Sequence, residues 1–167
     1  MKKKAFSLIE LLVVIAILAT IIGLALPNFL GARSRARDAR RKGEMNQLKT
    51  ALQLYNGDYH VFPLASGGMP SLVMGCGENG ITACPAACGG DFAAGGTGCD
   101  TVYMTKFPGE LGTSMFYYSD GTNFCLKVTL ENVSDGDLAV SQSRCSAVCT
   151  SVGAGVLGTT DYAVCSE

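Results

Sequence analysis

Histidine occurs once in this 167-residue chain, at His60, and charged residues make up only 16% of it. No serine or cysteine can be placed beside that imidazole, so Ser/His or Cys/His nucleophilic chemistry has no identifiable base. His60 reads instead as a loop or helix-end residue. Cysteine is missing from the first 56 residues, and only three of the 21 glycines lie there. That part therefore lacks both cross-links and turn formers. It is also short of acid. Residues 1–56 carry ten Lys/Arg against three Asp/Glu, a charge of +7, whereas residues 57–167 carry three against eleven, a charge of −8. The net charge of −1 thus hides a basic rod followed by an acidic head. The length suits one globular domain with an appendage better than two full domains.

What the first part does have is a long apolar run. Residues 6–26 contain only Ser7, Glu10 and Thr20 as polar residues. As a helix they would extend roughly 31 Å, the thickness of a bilayer's hydrocarbon core. Lys2, Lys3 and Lys4 precede the run, as in an export signal, but the run is longer than the ~7 to 15 residues of a secretory signal, and "LALPNF" is a poor cleavage context. Beyond it, Met45, Leu48, Leu52, Tyr55 and Tyr59 follow the 3-4 spacing of one helix face. Phe29, Ala32, Ala36, Ala39 and Gly43 keep the same spacing further back. The spacing predicts one helix from about Phe6 to Tyr55, with Pro27 kinking or melting it near residues 23–27. Asn56-Gly57 should stop it, and Pro63 should prevent its resumption. Between them lie Arg33, Arg35, Arg37, Arg40, Arg41 and Lys42, opposed only by Asp38. No aromatic residues are interleaved, so nucleic acid is not the expected partner, and a solvated or membrane-facing run is. Positive-inside asymmetry would hold this cluster in the cytoplasm, but the cysteines argue for export of the acidic head.

All eight cysteines, Cys76, Cys84, Cys88, Cys99, Cys125, Cys145, Cys149 and Cys165, lie in the second part. An even, dense set in a glycine-rich segment reads as a disulfide framework in an oxidising compartment, with 105 possible pairings. Cys84 with Cys88 and Cys145 with Cys149 are C-x3-C, not the C-x2-C of redox enzymes or most zinc ribbons, so disulfides are preferred to zinc. Residues 64–100 read as a loop pinned by the first four cysteines. "SMFYYSDGTNFCLKVTLEN" predicts a hairpin with strands at 115–118 and from Phe124 onward, where Phe124, Leu126, Val128 and Leu130 alternate with more polar neighbours. Residues 138–141 and 162–165 are candidate further strands. A sheet laid on the Met45 to Tyr59 stripe would bury both, which gives an α+β fold: a long N-terminal helix packed on a small antiparallel sheet, with a disulfide-pinned Gly/Cys-rich region.

Glu10 is the odd residue. A carboxylate in a run suited to lipid costs about 3 kcal/mol on insertion scales, so it needs a partner or a function. "KKKAFSLIELLVV" as a whole resembles the assembly segment of type IV pilins and of the pseudopilins of type II secretion. The resemblance implies a leader at residues 1–5, cleavage by a prepilin peptidase between Ala5 and Phe6, and methylation of the new amino group. Ala5 stands where the family has glycine. The resemblance also implies that Glu10 of one subunit neutralises the Phe6 amine of its neighbour, and that the segment from Gly23 to Pro27 loosens in the filament. The domains would then be 1–5, 6–27, 28–56 and a head at 57–167. The expected partners are copies of the chain in a helical filament, the peptidase, inner-membrane assembly machinery and, before assembly, the lipid bilayer. The chain would sit as a single-pass inner-membrane protein and then in a periplasmic or extracellular filament. Its activity would be assembly, not catalysis. The other readings are a disulfide-rich binding domain on an uncleaved anchor, and an extracytoplasmic enzyme or zinc site.

No cofactor is expected, with one exception. Glu131, Asp135 and Asp137 form an acidic turn that could offer hard oxygens to calcium, as a nearby loop does in some major pseudopilins, although the EF-hand pattern is not met and a solvated turn is preferred. Gly75-x-Gly77-x-x-Gly80 fits a dinucleotide fingerprint, but no helix pattern follows it and cysteines sit within it, so it is set aside.

Overall fold

The computed structural model describes residues 7–65, 73–77, 82–84, 88–95, 99–111 and 113–166, with the side chains of residues 25–28, 30 and 83 excepted. Helix α1 spans Leu8–Tyr59, 52 residues. Of the kinking or melting expected near Pro27, melting is not seen: the backbone of residues 23–27 is helical. Proline's fixed φ of about −65° is itself helical, so its cost is one missing hydrogen bond and a crowded carbonyl, which need not end a helix. Asn56-Gly57 does not stop α1 either. The helix ends at His60, a non-glycine residue with φ +58°, whose N–H donates to the Asn56 carbonyl at 2.8 Å. That is the left-handed cap glycine usually supplies.

The chain divides into two units, Met1–Arg37 and Asp38–Glu167. In the second, the predicted helix face packs into the core: Met45, Leu48 and Leu52 are completely buried, Tyr55 nearly so, and Tyr59 is partly buried against them. The earlier set differs, since Phe29, Ala32, Ala36 and Ala39 are exposed. Strands β6 (Met115–Ser119), β7 (Phe124–Thr129) and β8 (Asp161–Cys165) form an antiparallel sheet in the order β6-β7-β8. Phe124, Leu126 and Val128 of β7 join Met45, Leu48, Leu52 and Tyr55 in one core cluster, so the expected hairpin and helix face do cover each other.

The other face of β7 is covered too, by an element the sequence reading placed differently. Residues 138–141 are not a strand but part of helix α2, Asp137–Ser151. Its buried residues, Leu138, Ser141, Cys145 and Cys149, recur every three or four positions, which is a helical period and not an alternating one. Cys125, the residue of β7 expected to face outward, packs with Cys145, Cys149 and Cys165 in a second cluster.

The described residues among 64–100 form strands where a pinned loop was expected. They carry β1 (Leu64–Ala65), β2 (Val73–Cys76) and β3 (Thr82–Ala83) in one antiparallel sheet, and β4 (Phe92–Ala94), which pairs with β5 (Thr101–Met104). Gly75 sits in β2, where a Cβ would lie 2.9 Å from Pro63 Cβ and 3.0 Å from Phe92 Cε2. Both neighbours are buried, and neither side chain has a flexible end that could move away. Gly75→Ala is therefore expected to destabilise the head by about 1 to 3 kcal/mol through overpacking, read as a lower denaturant midpoint at unchanged slope. Close packing thus accounts for this glycine of the fingerprint-like motif, and β2 runs into a bridge at Gly77.

Candidate functional site

Over residues 8–24 of the first unit the side chains form an exposed apolar surface with one acid, Glu10. Every leucine, isoleucine and valine of residues 8–24 is between 47% and 80% exposed. Ser7-Leu8-Ile9-Glu10 opens the helix as S-x-x-E, the sequence of a capping box, and Glu10 Oε2 accepts the backbone N–H of Ser7 at 3.0 Å. Glu10 thereby satisfies one of the amides that a helix start leaves unpaired. Gly23 lies in the exposed helix with nothing within 4 Å of a would-be Cβ, and Pro27 is helical in backbone. Ala5 and Phe6, the expected processing residues, lie outside the described residues. Among the described residues no helix is long and apolar enough to cross a membrane. The 17 positions of residues 8–24 would extend about 26 Å, and the 21-residue run read from the sequence reaches past them at both ends.

The second unit begins at a cluster of charges that sequence reasoning missed. Asp38 is 1% exposed, and its two oxygens accept the backbone N–H groups of Glu131 at 3.0 Å and Asn132 at 2.8 Å. Arg41, with 14% of its side chain exposed, reaches Asp38 at 3.2 Å, Glu110 at 2.8 Å and Glu131 at 3.1 Å. Lys42 Nζ lies 2.9 Å from Asp135 and 2.7 Å from Asp137. Two members of the basic run are thus half-buried ion-pair partners of the head and not a solvated face. Burial works against the charge of Arg41 and Lys42, but the carboxylates outweigh it and raise both pKa values.

This arrangement also shows where the three candidate calcium ligands point. Asp135 and Asp137 converge on the Lys42 ammonium, while Glu131 pairs with Arg41. Among the described residues no three His, Cys, Asp or Glu side chains are grouped to hold a metal. The cluster holds α1 against the turn after β7.

Its charges make stability pH-dependent. Glu110 titrates below its ordinary 4.5, through the hydrogen bond from Ser114 and then, against the opposing effect of burial, its pairing with Arg41. Asp135 titrates below 3.8, chiefly through Lys42. Depressed native values mean that the unfolded chain binds more protons in acid. This stabilisation is complete above the ordinary values and is lost as pH falls through the lower native ones. Melting temperature should therefore drop on acidification below about pH 4.5, and Lys42→Met should reduce the slope by removing the principal partner of Asp135.

All eight cysteines are paired: Cys76–Cys84, Cys88–Cys99, Cys125–Cys149 and Cys145–Cys165. The last two tie α2 to β7 and to β8.

The helix of the first unit thus exposes an apolar surface with one acid near its start, and the second unit packs a helix face on an antiparallel sheet in a head with four disulfides. A family model described as the prokaryotic N-terminal methylation motif matches residues 1–26. The chain is 33% identical over 72 residues to Type II secretion system core protein G of Escherichia coli (strain K12), covering 43% of this chain and 50% of that one. It is 32% identical over 72 residues to the protein of that name from Vibrio cholerae, covering 43% and 49%. It is also 36% identical over 69 residues to the Type IV wide pilus major component PilA4 of Thermus thermophilus, covering 41% and 53%. The chain spans about half the length of the curated relatives it matches. No solved structure matches it. The resemblance to pilins and pseudopilins read from the sequence is thereby supported.

Proposed function

We propose that the chain is a structural subunit that polymerises through its N-terminal helix into a type IV pilus-like filament after a prepilin peptidase cuts between Ala5 and Phe6. The observation that carries this reading is the exposure of all twelve leucine, isoleucine and valine side chains of residues 8–24. Such a continuous apolar surface needs a cover. Lipid would supply it before assembly, and the same helices of neighbouring copies afterwards. The bridged head would face an oxidising space outside the inner membrane. Amino-terminal sequencing of the fibre or membrane fraction should begin at Phe6. A start at Met1, or one beyond Leu26, overturns the proposal.

A second reading, a short secretion pseudopilus, is favoured by the similarity to the type II secretion proteins of Escherichia coli and Vibrio cholerae. Long fibres sheared from the cell surface would support the pilus. Polymer retained beneath the outer envelope would support the pseudopilus.

A further inference from the structure

We propose that maturation of this head requires an extracytoplasmic thiol–disulfide isomerase, and that the requirement lies in the four C-terminal cysteines alone. The eight cysteines form two sets with different topology. Cys76–Cys84 and Cys88–Cys99 each join neighbours in sequence, 8 and 11 residues apart. An oxidase that joins thiols in the order they leave the membrane produces these two directly. Cys125–Cys149 and Cys145–Cys165, 24 and 20 residues apart, interleave. Four cysteines allow three pairings, and the native one is the only one of the three that cannot be made by joining neighbours or by nesting one loop inside another.

The geometry places the wrong partners close together. Cys125 and Cys165 sit directly opposite each other on β7 and β8. Cys145 and Cys149 lie one turn apart on the buried face of α2. Before α2 has docked, loop entropy favours the shorter loops, which are the sequential set Cys125–Cys145 with Cys149–Cys165 or the nested bridge Cys145–Cys149. After docking, all four residues are at most 2% exposed. An exchange catalyst must therefore act on the partly folded chain, while these sulfurs can still be reached.

The exchange is redox-neutral and needs one catalytic thiolate. From the sequential set, the isomerase thiolate attacks the Cys145 sulfur, forming a mixed disulfide and releasing Cys125 as a thiolate. Cys125 then attacks Cys149, forming Cys125–Cys149 and releasing the Cys165 thiolate. Cys165 attacks Cys145 in the mixed disulfide, forming Cys145–Cys165 and returning the isomerase thiolate. One enzyme bond has formed and broken, and two protein disulfides remain two.

The full chain would be exported in hosts that have a disulfide oxidase, with and without a dithiol isomerase, and mapped by mass spectrometry of unreduced peptides. Without the isomerase, the Cys125–Cys149 and Cys145–Cys165 peptides should fall at least twofold, replaced by sequential or nested ones, while the Cys76–Cys84 and Cys88–Cys99 peptides stay constant. A smaller fall, or an equal loss of all four bridges, overturns the proposal. The double variants Cys145→Ala/Cys165→Ala and Cys125→Ala/Cys149→Ala each leave one C-terminal bridge with nothing to cross. Each should form its remaining bridge equally well with or without the isomerase, and continued dependence in both would also overturn it.

Discussion

Replacing Asp38 by alanine should lower the unfolding free energy of the head by about 3 to 5 kcal/mol, the cost of breaking a buried charged pair from one side. The magnitude comes from what the carboxylate leaves behind. Two backbone N–H groups, of Glu131 and Asn132, lose their acceptor where almost no water reaches, since Asp38 is 1% exposed. A buried polar group left unpaired costs about 1 to 3 kcal/mol. Arg41 would keep Glu110 and Glu131, which limits the loss. Asp38→Asn is the informative control. An amide has one acceptor oxygen for two donors and turns its own N–H₂ toward the other, so asparagine should restore little of the stability despite its equal size. Urea denaturation of the oxidised protein measures both variants, and a loss below about 1 kcal/mol for alanine would show that water or another group replaces the carboxylate.

Asp38 also shows where sequence reading reached its limit. The stripe Met45, Leu48, Leu52, Tyr55 was legible because apolar residues recur at helical spacing. The buried face continues backward at the same spacing through Arg41 and Asp38, but there it is charged. A hydrophobicity pattern does not register an ion pair that replaces a leucine. The apolar spacing led instead to Phe29, Ala32, Ala36 and Ala39, and these are exposed. The hairpin at 115–129 was legible from alternation, whereas α2 was lost because its large apolar residues are only Leu138, Val140 and Val148 and its buried positions include Ser141 and two cysteines. A signal was present: C-x3-C places two cysteines on the same side of a helix, one turn apart. The pairing was not legible, because connectivity depends on which elements pack together and not on spacing.

The second large effect concerns Glu10, and the structure divides the question that the sequence raised. Within one chain Glu10 already has a partner, the Ser7 amide, so its presence in an apolar run has a local explanation as well as an assembly one. The two make different demands on the side chain. Capping needs an oxygen that accepts a hydrogen bond, which glutamine retains. Charge neutralisation of a neighbour's amine in a low-dielectric surrounding needs the negative charge, which glutamine lacks. On the proposed filament reading, Glu10→Ala should insert into membranes normally and yield at least tenfold less polymer in sheared fractions. Glu10→Gln should be equally deficient even though its helix start is capped, because an unpaired ammonium would remain in the apolar interior. Fibre yields restored by glutamine would assign Glu10 to the helix cap and remove charge pairing from the mechanism. Normal yields from both variants would leave the exposed apolar surface as the sole determinant of assembly.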